Sequence, residues 1–349
     1  MRKSDYLILN SFYFDFNNDL TEITNVKKLF KKQNILDLER FDKMKIIIKK
    51  NFFENENFNF IYLPVSIEKI GEWAFLDCRI QILDLSNCIK LKNIERSVFY
   101  ENQIKYFKLP QTIENINNFA FSINQIKLLD LSQCIHLKYI DDYSFKSNQI
   151  KQLKLPKNIE DIGLCAFGDN QIESIDLSNC INLKFIENWS FGHNQIKQLK
   201  LSKNIERIRY CAFEDNQIEI LDLSNCIKLN IIMGWIFKSN KIKQLKLPKN
   251  IEEIKYCAFE NNQIESLDLS NYTKLKHIVF NAFFENPLNE IKILGNINID
   301  YYDYSEYKED LWTKFAKYYN ENNKKEGDYK LENNEWQRYP LKKIKYEKK

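Results

Sequence analysis

KQLKLPKNIEDIGLCAFGDNQI, Lys151–Ile172, is followed directly by ESIDLSNCINLKFIENWSFGHNQI, Glu173–Ile196, and the opening phrase then returns at Lys197 as KQLKLSKNIE. It returns once more at Lys243 as KQLKLPKNIE, so a 22-residue and a 24-residue unit alternate on a 46-residue period. Five such pairs run from Asn59 to Leu288 without insertion. A fixed period of this size means one unit stacked on copies of itself, which overrides the two or three domains that 349 residues would otherwise suggest.

Outward from that stretch, two columns are continuous. Phe75, Phe99, Phe121, Phe145, Phe167, Phe191, Phe213, Phe237, Phe259 and Phe283 are spaced alternately 24 and 22 residues apart. Three residues after each comes an asparagine, from Asn102 to Asn286, with Cys78 in that place in the first unit. Each unit also carries an apolar-x-apolar frame, such as Leu153–Leu155 and Ile175–Leu177, which suits a short strand with one buried face. An apolar return follows (Ile159 and Ile162, or Leu183 and Ile186), and then the Phe. One coil per unit is expected: strand, bend, return, turn. A lone coil cannot bury these side chains, whereas ten stacked coils bury them continuously. The asparagines have a task in such a stack, since a tight inner turn leaves backbone N–H and C=O groups away from water and an amide both donates and accepts.

These motifs resemble a known family. The 24-residue unit, as in Ile172-Glu-Ser-Ile175-Asp-Leu177-Ser-Asn-Cys180, is similar to the leucine-rich repeat frame L-x-x-L-x-L-x-x-N/C. The 22-residue unit, with LPKNIEDIGLCAF, resembles the BspA-like subclass, whose coils run L-x-L-P and then I-x-x-I-x-x-x-A-F. The likeness covers about 230 residues, and Phe315 to Arg338 is similar to the aromatic segment that often closes such arrays. It implies an α/β-type repeat solenoid of about ten coils with a parallel β-sheet on one face, and roles in surface adhesion, host interaction or scaffolding.

The flanks read as caps. Residues 1–58 are assigned to an irregular N-terminal cap with a helix around Ile23 to Lys32, and residues 59–288 to the repeats. Residues 289–349 are assigned to a half-coil, a capping helix, a hairpin and a basic tail. Within them, Asp303 to Glu306 suits a capping box, and Leu311, Phe315 and Tyr318 form the expected apolar helix face. The hairpin is expected to turn over Asn333-Asn334, with Tyr329–Leu331 and Trp336 on its arms.

The sequence carries no catalytic or metal-binding pattern. Cys88, Cys134, Cys180 and Cys226 share one slot two coils apart, about 9.6 Å by strand spacing, beyond the reach of a disulfide. Cys165, Cys211 and Cys257 form a second such column; no C-x-x-C pair is present, so buried structural thiols in a reducing compartment are expected. His136, His193 and His277 occupy three different positions in the unit, and Asp141-Asp142 has no partner acid, base or nucleophile nearby in the pattern. The sequons at Asn188 and Asn271 fall on repeat positions that have a structural reading. No enzyme, metal or cofactor is expected. With 52 basic residues against 48 acidic ones, the chain has no overall electrostatic footprint for nucleic acid. The N-terminus lacks the pattern of a secretory signal, and no apolar run is long enough to span a membrane. A cytoplasmic monomer is the resulting expectation, with a surface or virion-associated adhesin as the alternative.

The strand face carries what functional signal there is. Its central outward slot reads Tyr62, Asp84, Lys108, Asp130, Lys154 and onward to Lys292 with charge alternating, so each lysine is expected between two aspartates. Two residues earlier come Phe60, Ile82, Tyr106 and Leu128, then mainly Gln and Ser. Phe60, Tyr62, Ile82, Tyr106 and Leu128 are therefore the candidate contacts for a protein partner, unless residues 1–58 fold over them.

Overall fold

The computed structural model describes residues 6–9, 13–16, 19–22, 31–32, 35–38, 45–48, 50–301 and 310–341. Each coil places two short strands in two separate columns. The first column holds three-residue strands such as Ile82–Asp84, Tyr106–Lys108 and Leu128–Asp130, paired in parallel with their neighbours. The second holds two-residue strands of the return, from Asn93–Ile94 through Asn115–Ile116 and Tyr139–Ile140 to Asn298–Ile299. The return is thus strand rather than helix, and among the described residues the one helix is Leu311–Glu321.

Inside, the ten phenylalanine rings form one file. Successive centroids lie 5.2 Å to 5.7 Å apart with interplanar angles of 5° to 12°, and each ring is fully buried. Burying one such ring is worth roughly 2–3 kcal/mol before the ordering cost of the chain is counted.

The file is held by the asparagine column. Asn124 Nδ2 donates to the Phe99 carbonyl of the preceding coil (2.9 Å) and to Phe121 of its own (3.2 Å), while its Oδ1 accepts from the Ile104 N–H (3.0 Å). The same set recurs in full at Asn148, Asn170, Asn194, Asn216, Asn240, Asn262 and Asn286, whose Oδ1 accepts from the Ile264 N–H (3.0 Å). At the exceptional position the Cys78 thiol donates to the Phe53 carbonyl (2.8 Å) in place of an amide.

That contact shows coil geometry continuing below Asn59. Phe53 stacks on Phe75 at 5.1 Å and 15°, and strand Ile35–Asp37 pairs in parallel with Phe60–Tyr62 in full register. Strand Lys45–Ile48 continues the return column against Ile67–Ile70. Of the helix expected over Ile23 to Lys32, residues 23–30 lie outside the described residues, and Lys31–Lys32 form a strand.

At the other end, Trp312 closes the ring file against Phe283 at 4.9 Å. The helix face that docks is Trp312, Phe315, Ala316 and Tyr319, turned by one residue from the expected Leu311–Phe315–Tyr318 stripe because Trp312 meets the last ring. Its N-cap is Asp310, which accepts from the Thr313 N–H (2.8 Å) and from the Glu285 N–H of the last coil (2.8 Å). The capping box read at Asp303 to Glu306 lies outside the described residues. The hairpin Gly327–Glu332 and Glu335–Tyr339 turns over Asn333-Asn334, both at positive φ, and adds antiparallel to Glu290–Ile293.

Candidate functional site

On the strand face, the middle residue of each three-residue strand points inward and the two flanking ones point out. Parallel register sets Phe60 beside Ile82 and Ile82 beside Tyr106. Tyr62 is 46% exposed, Ile82 39%, Tyr106 44% and Leu128 61%, while Phe60 is half-buried. The strand Ile35–Asp37 extends the sheet beside Phe60. All five candidate residues therefore share one face across four successive strands. Beyond Leu128 the row turns polar, with Ile220 as an isolated exposed apolar side chain. A further set of exposed isoleucines, Ile89, Ile135, Ile181 and Ile227, lies at the strand corner, one in every second coil, and forms no comparable continuous row.

The charged row corrects one expectation. Four of the five lysines pair with the preceding aspartate only: Lys108 with Asp84 (3.8 Å), Lys154 with Asp130 (3.4 Å), Lys200 with Asp176 (3.6 Å) and Lys246 with Asp222 (3.1 Å), whereas Lys292 pairs with Glu290 of its own strand (3.3 Å). The backbone shows the same asymmetry. An Asp strand and the Lys strand after it pair over three residues, as in Leu128–Asp130 with Gln152–Lys154, whereas sheet order breaks between Tyr106–Lys108 and Leu128–Asp130. The aspartate has a second duty at the corner, where its Oδ1 accepts from the N–H and hydroxyl of the serine two residues on (Ser178 to Asp176, 3.0 Å and 2.5 Å). The neighbouring thiols serve structure as well: Cys134 and Cys180 point at the Pro110 and Pro156 carbonyls of the preceding coil (3.6 Å and 3.7 Å), and burial pushes both up to about 11. None of the eight cysteines, all among the described residues, forms a disulfide.

A concavity that the sequence pattern does not reveal runs along the phenylalanine corners. Residues two before each Phe all take positive φ, and in the middle of the array they read Phe119, Tyr143, Cys165, Trp189, Cys211, Trp235 and Cys257. A hollow of about 930 Å³ spans five coils, from Tyr143 to Lys238. Phe119 stacks on Tyr143 at 4.6 Å and 6° and so fills the row at one end. Trp189 stacks on His193 at 5.2 Å, and the His193 Nδ1 lies 2.9 Å from the Asp215 carboxylate. Beneath it, Gly192 is required: a Cβ there would come within 2.9 Å of Trp189 Cε3. The lysines in the wall are paired, Lys146 with Asp169 (3.1 Å) and Lys238 with Glu260 (2.9 Å). Burial raises the Glu214 carboxyl, with the Cys211 thiol, Lys238 and His193 pulling the other way, and burial likewise raises Cys211. The available signal was the alternation of large aromatic and Cys in this slot, which reads as a thiol column when the cysteines are taken alone.

Asp141 and Asp142, set aside in the sequence, prove to be wall residues of the stack: Asp142 accepts from the Leu164 N–H (2.8 Å), and burial raises the Asp141 carboxyl. His277 lies between Glu253 (3.2 Å) and Asp300 (2.7 Å). Among the described residues, no group of three or more His, Cys, Asp or Glu is placed to hold a metal ion, and no helix is long and apolar enough to cross a membrane.

The family described as BspA type Leucine rich repeat region (6 copies) matches residues 21–136, 46–172, 127–238 and 224–309. No curated protein matches the chain. Among solved structures, a leucine-rich repeat protein from Bacteroides ovatus ATCC 8483 is 15% identical over 85% of this chain and 82% of that one, with a TM-score of 0.48. The functional domain of InlJ from Listeria monocytogenes, which includes a cysteine ladder, is 14% identical over 71% of this chain and 61% of that one (TM-score 0.36). A leucine-rich repeat protein from Eubacterium ventriosum ATCC 27560 is 13% identical over 74% and 92% (TM-score 0.32).

Proposed function

Because the chain belongs to the BspA-type leucine-rich repeat family, we propose that it is a non-catalytic scaffold that binds a protein partner through the N-terminal half of its strand face. The observation that carries this reading is the outward row of Phe60, Ile82, Tyr106 and Leu128 on four successive strands, with Tyr62 beside it on the strand of Phe60. Scattered surface apolars are ordinary, but a contiguous aromatic and aliphatic patch on a rigid sheet supplies anchor residues that lose little side-chain freedom on binding. The polar second half of the same face bounds the footprint.

A photo-crosslinking amino acid placed at Tyr106 or Leu128 should capture a protein that the same group at Gln198 does not. The captured protein should then lose affinity for the full chain carrying Tyr106→Ser and Leu128→Ser, two exposed changes that leave the core untouched. Equal capture from both halves of the face, or unchanged affinity of the double variant, would overturn the reading.

A further inference from the structure

We propose that the hollow between Tyr143 and Lys238 is a second binding site, which takes a linear β-1,4-linked hexopyranose chain laid along the stack. It lies at the phenylalanine corners and not on the strand face, so it and the protein-partner reading can fail separately.

The aromatic slots of the hollow recur with a fixed period. Tyr143, Trp189 and Trp235 occupy the same slot at 46-residue intervals, two coils apart, which strand spacing sets at about 9.6 Å. In an extended β-1,4-linked chain each sugar is turned over relative to the last, so the same face recurs at every second ring and at much the same interval. A repeating protein surface thus meets a repeating ligand in register. The alternate slots, Cys165 and Cys211, are small and leave room for the intervening sugars. Where that slot instead holds Phe119, its ring stacks on Tyr143 and the hollow ends.

The lining of the hollow suits a neutral sugar. The aromatic residues are half-buried and fixed, Trp189 by His193 on one side and by the missing Cβ of Gly192 beneath it. An aromatic face offers a flat, weakly negative surface suited to the C–H face of a pyranose. Of the wall charges, Glu214 faces the Cys211 thiol, while both lysines are already ion-paired, Lys146 with Asp169 and Lys238 with Glu260, and His193 meets Asp215, so an anionic ligand would have to break an existing pair. Those pairs retain lone pairs and N–H groups for the hydroxyls of a neutral ligand. The volume of about 930 Å³ falls within the range of ligand clefts.

The test is calorimetric titration of the full chain with chitohexaose and with cellohexaose, which separates the two sources of this linkage. At least one should bind saturably, and maltohexaose, which is α-linked and curved, should not. Trp189→Ala and Trp235→Ala should each weaken binding about tenfold. Cys165→Phe should abolish it while the fold is kept, since Phe119 already occupies the equivalent slot elsewhere; Tyr106→Ser should have no effect. The proposal is overturned if neither β-linked hexamer saturates the folded chain, if maltohexaose or an aromatic peptide binds equally well, or if Cys165→Phe binds like the parent.

Discussion

Asn170 Nδ2 sits 3.0 Å from the carbonyl oxygen of Phe145, one coil below it, so the side chain that closes one turn is bonded to the residue whose ring supports the next. The same amide accepts from the Ile150 N–H at 3.0 Å. Replacing Asn170 with Leu keeps the size and removes both partners, leaving a buried donor and a buried acceptor unmet. The expected cost is about 2–4 kcal/mol, read as a lowered urea midpoint with an unchanged slope. A loss below the level of an ordinary surface change would contradict the role given to the column.

Phe167 lies between Phe145 and Phe191, at 5.6 Å and 5.4 Å, and is fully buried. Phe167→Ala should destabilise by about 3–5 kcal/mol, through lost transfer energy and the cavity left in a file that cannot collapse without shortening the stack. Phe167→Leu should cost clearly less. Equilibrium denaturation of the two variants side by side decides the point.

Ile123 has φ 54° and is 43% exposed, a β-branched side chain in the left-handed region. That conformation costs an L-residue roughly 1–2 kcal/mol, more than the entropy that glycine forfeits. Ile123→Gly should therefore be neutral or stabilising, by up to about 1 kcal/mol, where most changes to glycine destabilise. A clear drop in melting temperature would show that the corner needs the side chain.

The Ser178 hydroxyl and N–H, with Lys200 opposite, hold the Asp176 carboxyl below its usual range, against a contribution from burial. A folded-state value below the unfolded one means that the stabilisation is fully present above the unfolded value of about 3.8 and is lost as pH falls through the folded value. Asp176→Asn should cost about 0.2–1 kcal/mol near neutrality, the range for an exposed pair. The gap between variant and parent should narrow below about pH 3.8 in urea titrations repeated across pH, and a gap that widens on acidification would refute the assignment.

Burial pushes the Cys134, Cys180 and Cys226 thiols up to about 11, and raises half-exposed Cys165 as well. At about pH 8, iodoacetamide should label Cys165 first in the folded chain and reach the other three only on unfolding. Peptide mass mapping of a labelling time course gives the order directly.

The N-terminal coil carries the repeat signal in degenerate form. ILDL at Ile35–Leu38 repeats ILDL at Ile82–Leu85 and Ile220–Leu223, and Phe53 stands 22 residues before Phe75. Both facts are in the sequence, but SNC is replaced there by ERF and Glu56 takes the asparagine slot, so the stretch reads as irregular until the strand register is seen.

The amino-acid sequence by itself determined the coil, its period and its interior. A residue that must be buried in every turn has to recur at every turn, so Phe167 and Asn170 announce themselves by position alone. The strand-face row was equally legible, because alternation along a three-residue strand fixes which side chains point out. What only the tertiary structure decided was how neighbouring coils differ in spacing and how the corner side chains lie. Lys154 could have met Asp130 or Asp176, and the uneven ladder chose Asp130. Trp189 over Gly192 became one wall of a hollow because ring orientation depends on contacts across coils, which no single unit of the repeat encodes.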